Sequence, residues 1–234
     1  MEEQQTERMS ARKLRALRPG KVALICSKIL PPLEGYRFFR FGVAGDGSCF
    51  FHSLCASINY MSYLEDDAED GRRSRVVMEM RRKLWEDMMP KVWEAFTSVL
   101  APAIRARLID GARRSYASVR GNLIDPTFWA DELLIRYVSW IMHLNVVFLD
   151  DVGGTMYCGV ENMGGGEDVR LPTMVVAWVG RAHFEPIGVT TDDENTCVAE
   201  DGKTCVHGKF LFMPGKDDAV VDHIVQAYAA QCVT

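Results

Sequence analysis

The stretch "GDGSCFFHS", residues 45–53, places one cysteine between a glycine turn and the start of a helical pattern. From Ser48 onward, apolar side chains recur at helical spacing, namely Phe50, Phe51, Leu54, Cys55 and Ile58. Serine is a residue type that caps helix N-termini through its hydroxyl group. The pattern therefore predicts a helix that begins at or next to Cys49, with Ser48 available as its N-cap.

The predicted position of Cys49 suits a nucleophilic thiol. A thiol attacks as the thiolate, and an unperturbed cysteine supplies only a few per cent of that form at pH 7. The N–H groups and partial positive charge of a helix N-terminus lower the pKa of a thiol and can also bond an oxyanion. The alternative is a cysteine that simply packs, which is the commoner role of cysteines at such positions. The nucleophile hypothesis therefore needs a base elsewhere in the sequence.

Of the five histidines, His183 is the best placed to be that base. Residues 171–189 read as two strands joined at Gly180–Arg181, and His183 opens the second strand. Residues 183 and 185 of a strand face the same side, so Glu185 can lie beside the imidazole as the third member of a triad. The other histidines are interpreted as structural or as weak candidates: His52, His143, His207 and His223.

Three blocks of the sequence resemble those of one protein family. "GDGSCFFHSL" looks like the Asp-Gly-x-Cys signature of ovarian-tumour (OTU) domain cysteine deubiquitinases, and "AWVGRAHFEPI" is similar to their histidine block. Between them, "FWADELLIRYVSWIMHLNVVFLD" resembles the Trp-x-x-Glu helix and the strand after it. The blocks occur in the family's order and cover roughly residues 37–189. Trp129 and Glu132 match positions that we interpret as structural, for helix packing and surface respectively.

The resemblance implies an α+β fold of the papain superfamily, with a small central β-sheet flanked by helices. It also implies a cysteine protease that hydrolyses the isopeptide bond after the C-terminal glycine of ubiquitin or a ubiquitin-like modifier, through a thioester and without metal or cofactor. Cys49 would be the nucleophile and His183 the general base. Asp46 is expected to assist them, and Asp46, Gly47, Ser48 and Cys49 would form the oxyanion loop. The family more often has Asp or Asn where this chain has Glu185, so the third triad position stays open.

The domain organisation predicted from the sequence is one domain with appendages. Residues 1–21 are expected to form a basic arm or helix, residues 22–189 the catalytic domain, and residues 190–234 a C-terminal extension. Apolar stripes predict one helix that ends at Pro90 and another at 134–141, before a buried strand at 146–148. They also predict a last helix at 217–231. The helix stripe that ends at Pro90 consists of Val77, Met80, Leu84 and Met88.

Bulk properties narrow the expected partners and compartment. The net charge of −5 and pI of about 5.6 do not favour nucleic-acid binding. The sequence has neither a signal-peptide pattern nor 18 consecutive uncharged apolar residues, so no membrane association is expected. Seven irregularly spaced cysteines without a CxxC pair indicate a reducing compartment, and we expect a cytoplasmic monomer, in a host cell if the protein is a viral or bacterial effector.

Several alternatives remain at this stage. "GSCF" also matches the run around a papain-type nucleophile, although no glutamine lies between Val22 and Ser48 to build that type of oxyanion hole. A ubiquitin-binding pseudoenzyme is a second alternative. Zinc binding by Cys197, Cys205 and His207 is a third, although their spacing is not that of a zinc ribbon. The acidic run at 65–70 would complement the arginines of the ubiquitin tail, or be an ordinary solvated loop.

Overall fold

The computed structural model describes residues 15–25, 30–65, 71–150, 156–158, 171–180, 182–191 and 208–231. The strands are β1 (Val22–Leu24), β2 (Tyr36–Phe41), β3 (Asn145–Asp150), β4 (Met156–Cys158), β5 (Thr173–Val179), β6 (His183–Thr191) and β7 (Leu211–Phe212). The helices are α1 (Cys49–Ser57), α2 (Arg72–Asp87), α3 (Pro90–Val99), α4 (Pro102–Arg105), α5 (Tyr116–Ile124), α6 (Glu132–Met142) and α7 (Asp218–Gln231). A 3-10 helix at Tyr60–Glu65 and a π-helical turn at Ala106–Asp110 complete the regular elements of these residues.

The strands of the described residues form one mixed sheet in the order β1-β2-β6-β5-β3-β4, with β7 beside the start of β5. Strands β3 and β5 run parallel, and the other pairs are antiparallel. A βαβ unit joins two parallel strands through a helix. The described residues between β3 and β5 contain strand β4 and no helix. This mixture of helices with a largely antiparallel sheet confirms the α+β class.

The hairpin that was expected to present His183 is confirmed. Strands β5 and β6 pair antiparallel, with Val179 opposite His183 and Ala177 opposite Glu185. Arg181 at the turn lies outside the described residues. The hairpin places His183 at the very start of an interior strand, since β2 covers the other edge of β6.

Helices cover the sheet on both faces because alternate residues of its strands are apolar on each side. On strand β2, Phe39 and Phe41 pack with helices α1, α2, α3, α5 and α6, whereas Phe38 packs on the other face with α7. Helix α7 buries Val220 and Ile224 completely or nearly so, which stabilises the fold by roughly 1.5–3 kcal/mol for each side chain. The predicted arrangement of a central sheet flanked by helices is therefore confirmed.

The helices predicted from apolar periodicity are also confirmed. Helix α2 ends at Asp87, and Pro90 is the first residue of α3, where its missing N–H group removes no helical hydrogen bond. Helix α6 ends at Met142, and its C-cap residue His143 adopts a left-handed φ of 50° and leads into strand β3. In the residues that the structure describes, no helix is both long and apolar enough to span a bilayer.

Two expectations about individual segments need correction. Trp129 does not pack within a helix: it precedes α6, whose N-cap is Asp131, and 49% of its surface is exposed. The described part of the N-terminal arm, residues 15–21, is not helical and does not extend freely into solvent. The Gly20 N–H donates to the Gly42 carbonyl at 2.8 Å, and the Gly42 N–H donates to the Lys21 carbonyl at 2.7 Å. Residues 1–14 lie outside the described residues, and the predicted domain boundaries stay predictions.

Candidate active site

Cys49 is the first residue of α1 and follows Gly47, which has a φ of +85°. Only 2% of Cys49 is exposed. Burial raises the pKa of its thiol, and hydrogen bonds from the backbone of Phe184 and Phe50 partly oppose that rise. The bond from Phe184, the neighbour of His183, shows that the sulfur lies against the start of strand β6.

His183 lies beside the glycine turn that precedes α1. A Cβ atom built on Gly45 would stand 3.8 Å from His183 Nδ1 and 3.9 Å from Cε1, so this edge of the ring faces the turn. The Ser53 hydroxyl donates to the Phe184 carbonyl at 3.2 Å and ties α1 to β6. The tertiary structure thus brings the start of α1, which carries Cys49, next to the start of β6, which carries His183.

The pKa shifts of Cys49 and His183 both favour the neutral forms. Burial lowers the pKa of His183, the neighbouring His52 and Arg40 side chains lower it further, and Asp46 opposes them. Because the pKa of Cys49 is raised and that of His183 is lowered, the neutral thiol and the neutral imidazole are the favoured forms at pH 7. Such a pair can react by transferring the thiol proton to the imidazole as the sulfur attacks.

Glu185 lies on the same face of β6 as His183 and is completely buried. Its Oε1 is 3.7 Å from His183 Nε2, which is beyond hydrogen-bonding distance. Both carboxylate oxygens have other partners: Oε2 accepts from Arg40 Nη1 at 2.5 Å, and Oε1 accepts from the Leu17 N–H at 2.6 Å. The structure therefore places the predicted third residue next to the imidazole without a hydrogen bond to it.

Asp46 stabilises the conformation of the predicted oxyanion loop, residues 46–49, through side-chain contacts. Its Oδ1 accepts from the Ser48 N–H at 3.0 Å, and its Oδ2 lies 3.2 Å from His52 Nε2. The hydrogen bond with His52 is the main cause of the lowered pKa of Asp46. On the far side, His52 Nδ1 lies 2.7 Å from the Tyr63 hydroxyl. Since the Ser48 N–H is bound to Asp46, it is not directed at a substrate in this arrangement.

The predicted N-cap position of Ser48 is confirmed, but its hydroxyl group does not cap the helix. Ser48 is the N-cap residue of α1, but its side chain makes no capping hydrogen bond. Its hydroxyl donates to the Pro126 carbonyl at 3.2 Å and accepts from Arg81 Nη1 at 2.9 Å. A bond from a charged guanidinium is stronger than one from a neutral amide, which explains the preference.

Arg81 is the main residue of the site that the sequence interpretation missed. It is completely buried in α2 and stacks over Phe51, 4.4 Å from the ring centre. Besides Ser48, it donates to three backbone carbonyls at the C-terminal end of α5, those of Asn122, Leu123 and Asp125. Burial lowers the pKa of Arg81 to about 10, so it stays charged at neutral pH. Through these hydrogen bonds, Arg81 joins the predicted oxyanion loop to the C-terminal end of α5.

The sequence contained a signal for Arg81. It occupies a position of the apolar stripe of α2, four residues after Val77 and three before Leu84. A charged residue at a buried position needs specific partners, so its presence there points to a polar role inside the protein. Which carbonyls it binds could not be read from the pattern.

Two of the remaining histidines, His143 and His223, have structural partners elsewhere in the fold. His143 caps α6, and His223 donates from Nε2 to the Pro31 carbonyl at 2.8 Å and stacks on Phe38. The zinc alternative involves residues 197, 205 and 207, which lie outside the described residues, as do residues 66–70 of the acidic run. Among the residues that the structure does describe, no group of three His, Cys, Asp or Glu side chains is arranged to hold a metal ion.

Comparison with known proteins adds evidence from structure alone. No protein-family model matches the sequence, and no curated protein sequence matches it. A solved structure of an ovarian tumour (OTU) domain in complex with ubiquitin superposes with a TM-score of 0.50 at 12% identity, over 92% of this chain and 95% of that one. The chain has the fold of an OTU domain.

Other solved OTU domains match less of the chain. The OTU domain of OTUD1 gives a TM-score of 0.43 at 14% identity, over 64% of this chain and 85% of that one. The Hazara virus OTU bound to ubiquitin gives 0.42 at 16% identity, over 73% and 96% respectively. The OTU fold seen here includes the β5–β6 hairpin and the start of α1, which together position His183 and Cys49.

Proposed function

We propose that this protein is a deubiquitinating cysteine protease, which hydrolyses the bond after the C-terminal glycine of ubiquitin or a ubiquitin-like modifier. The observation that carries the proposal is the placement of Cys49 at the N-terminus of α1, against the strand that begins with His183, within an OTU fold. Two OTU structures with which the chain was compared are bound to ubiquitin. Action as a monomer in the cytoplasm belongs to the same proposal.

In the proposed reaction, the neutral pair becomes charged only as the substrate reacts. His183 takes the thiol proton while Cys49 Sγ forms a bond to the glycine carbonyl carbon, and the carbonyl oxygen becomes an oxyanion held by N–H groups at the start of α1. The imidazolium then gives its proton to the leaving lysine amine, and the C–N bond breaks to leave a thioester. Water, deprotonated by His183, attacks the thioester and releases ubiquitin and the thiol.

A ubiquitin probe with a thiol-reactive group at its C-terminus tests the proposal. The full-length protein is expected to form a covalent adduct at Cys49, identified by mass spectrometry of the modified peptide. Cys55 provides an internal comparison, because it is a free cysteine of the same helix whose pKa is raised by burial and which faces no histidine. An adduct at another cysteine, or none with ubiquitin and ubiquitin-like probes alike, would contradict the proposal.

A ubiquitin-binding module without activity is the second candidate. Two observations favour it: the pKa of the Cys49 thiol is raised rather than lowered, and His183 Nε2 has no hydrogen-bond partner among the described residues. Such a protein would bind ubiquitin in calorimetry but would fail to cleave a panel of di-ubiquitins. The same panel compares the linkages for an active enzyme.

Gly47→Ala is expected to lower kcat/KM about 10- to 100-fold and to destabilise the protein by about 1–2 kcal/mol. The added Cβ would stand 3.0 Å from the Thr127 carbonyl oxygen and 3.1 Å from that of Pro126, at a φ that favours glycine. Gly121→Ala is the matched control, because nothing lies within 4 Å of its Cβ and α5 would gain a better helix former. Thermal unfolding and cleavage assays on both variants check this, and equal effects would refute it.

A further inference from the structure

Arg40 and Glu185 form a buried ion pair between the adjacent strands β2 and β6. Arg40 Nη1 lies 2.5 Å from Glu185 Oε2, and both side chains are buried. Removing charges from water is costly, and such a pair is retained only when its hydrogen bonds are well satisfied. The pair lies beside His183, because Glu185 Oε1 is 3.7 Å from Nε2 of that ring.

The 15–21 segment supplies further hydrogen bonds to this pair, although the buried Nε of Arg40 has no partner among the described residues. The Leu17 N–H donates to Glu185 Oε1 at 2.6 Å. The Arg15 carbonyl accepts from Arg40 Nη1 at 3.4 Å and from Nη2 at 3.3 Å. Both oxygens of Glu185 therefore have donors from segments that are distant in the sequence.

The segment lies so close to Gly42, the residue after strand β2, that it leaves no room for a side chain there. A Cβ built on Gly42 would stand 2.1 Å from the Arg18 carbonyl oxygen, so only glycine permits this approach. Two backbone hydrogen bonds join Gly42 to Gly20 and Lys21, two and three residues after Arg18. The position of the Leu17 N–H is thereby tied to the sheet that bears Glu185 and His183.

The charged surroundings of His183 come from four elements or loops. Arg40 approaches from β2, His52 from α1 and Asp46 from the oxyanion loop, while Glu185 stands on the same strand. Arg40 and His52 disfavour a charged imidazole, as burial also does. Glu185 and Asp46 carry the negative charges that can stabilise the imidazolium once the thiol proton has been transferred.

We propose that Arg40 and the backbone of residues 15–17 are positioning elements of the active site, which keep Glu185 ionised and fixed beside His183. Glu185 then acts on the imidazolium through its charge at 3.7 Å rather than through a hydrogen bond. The extra methylene relative to aspartate is accommodated because the carboxylate is held back by Arg40 and Leu17. The inference rests on the proposed protease function, and it makes the N-terminal segment a part of the catalytic apparatus.

The test compares Leu17→Pro with Leu17→Ala in the full chain. Proline removes the N–H donor to Glu185, whereas alanine shortens the side chain and keeps the donor. The titration of His183 is followed by NMR of the imidazole C–H groups, with the resonance assigned from its absence in His183→Asn. We expect the pKa of His183 to fall by on the order of half a pH unit in Leu17→Pro only. Because His183 must be neutral to accept the thiol proton, its pKa governs the acidic limb of kcat/KM, which should move to lower pH with it. A loss of about tenfold should be carried by kcat.

Arg40→Met and Arg40→Lys extend the test to the other partner. Methionine leaves a buried carboxylate without its cation, so Glu185 would take up a proton and the pKa of His183 should fall as in Leu17→Pro. Lysine restores the charge and should recover part of the lost kcat. If Arg40→Met does not fold, the two Leu17 variants decide alone. An unchanged titration of His183 in Leu17→Pro would overturn the proposal, and it would do so even if the wild-type protein cleaved no ubiquitin substrate.

Discussion

Cys49→Ala is expected to abolish cleavage of ubiquitin conjugates, with kcat lowered by a factor on the order of 10⁵. Without the sulfur no thioester forms, and His183 alone has no nucleophile within reach of the carbonyl carbon. The fold should survive, because alanine is smaller than cysteine and keeps the helical backbone of α1. Single-turnover cleavage of di-ubiquitin measures the rate, and calorimetry measures whether ubiquitin still binds.

Cys55→Ala is the matched control for this prediction. Cys55 is also free and completely buried in α1, so its loss costs a similar amount of packing. Its replacement should lower stability by roughly 1 kcal/mol and leave kcat nearly unchanged. Cleavage by Cys49→Ala at the wild-type rate would exclude Cys49 as the nucleophile, and equal losses in the two variants would attribute the effect to folding.

Arg81→Met is expected to cost about 3 kcal/mol of stability and to lower Tm by about 10 °C. Methionine fills part of the volume over Phe51 but donates no hydrogen bond, so the carbonyls of residues 122, 123 and 125 lose their donor. The Ser48 hydroxyl loses its donor as well, which frees the oxyanion loop from the end of α5. Activity should therefore fall even at temperatures where the variant is folded.

Arg82→Ala provides the comparison on the same helix. Arg82 is exposed and pairs with Glu79 and Glu86 at the surface, where ion pairs contribute little because water competes for both charges. Calorimetric unfolding and cleavage assays should show no change for Arg82→Ala. A Tm for Arg81→Met within a degree or two of the wild type would show that the hydrogen bonds of Arg81 to Ser48 and the end of α5 do not stabilise the fold.

The proposed reaction requires nearby groups that stabilise charge on Cys49 and His183. Burial works against the charges on both Cys49 and His183, so the charged pair must be stabilised while the reaction proceeds. The groups able to do this are the N–H groups at the start of α1 for the sulfur and oxyanion, and Glu185 and Asp46 for the imidazolium. This need for two sets of stabilising groups explains why polar residues are buried around the site.

Local periodicity was enough to find most of the elements around the site. The two apolar runs joined at Gly180–Arg181 predicted the hairpin, the stripe at 77–88 predicted α2, and the run at 134–148 predicted α6 and β3. These patterns are informative because the burial of one face is imposed at every turn or every second residue. The position of Cys49 at the start of a helix followed from the same reasoning.

The sequence by itself determined which residues are candidates for the chemistry, since Cys49, His183 and Glu185 stand out through residue type and local spacing. Only the tertiary structure decided their partners: Arg81 for the oxyanion loop, and Arg40 with the Leu17 backbone for Glu185. Periodicity records whether a side chain faces inward, but not which distant group it meets there. A buried polar side chain takes whichever donor or acceptor the packing of other segments brings within 3 Å, and that packing is a property of the whole chain.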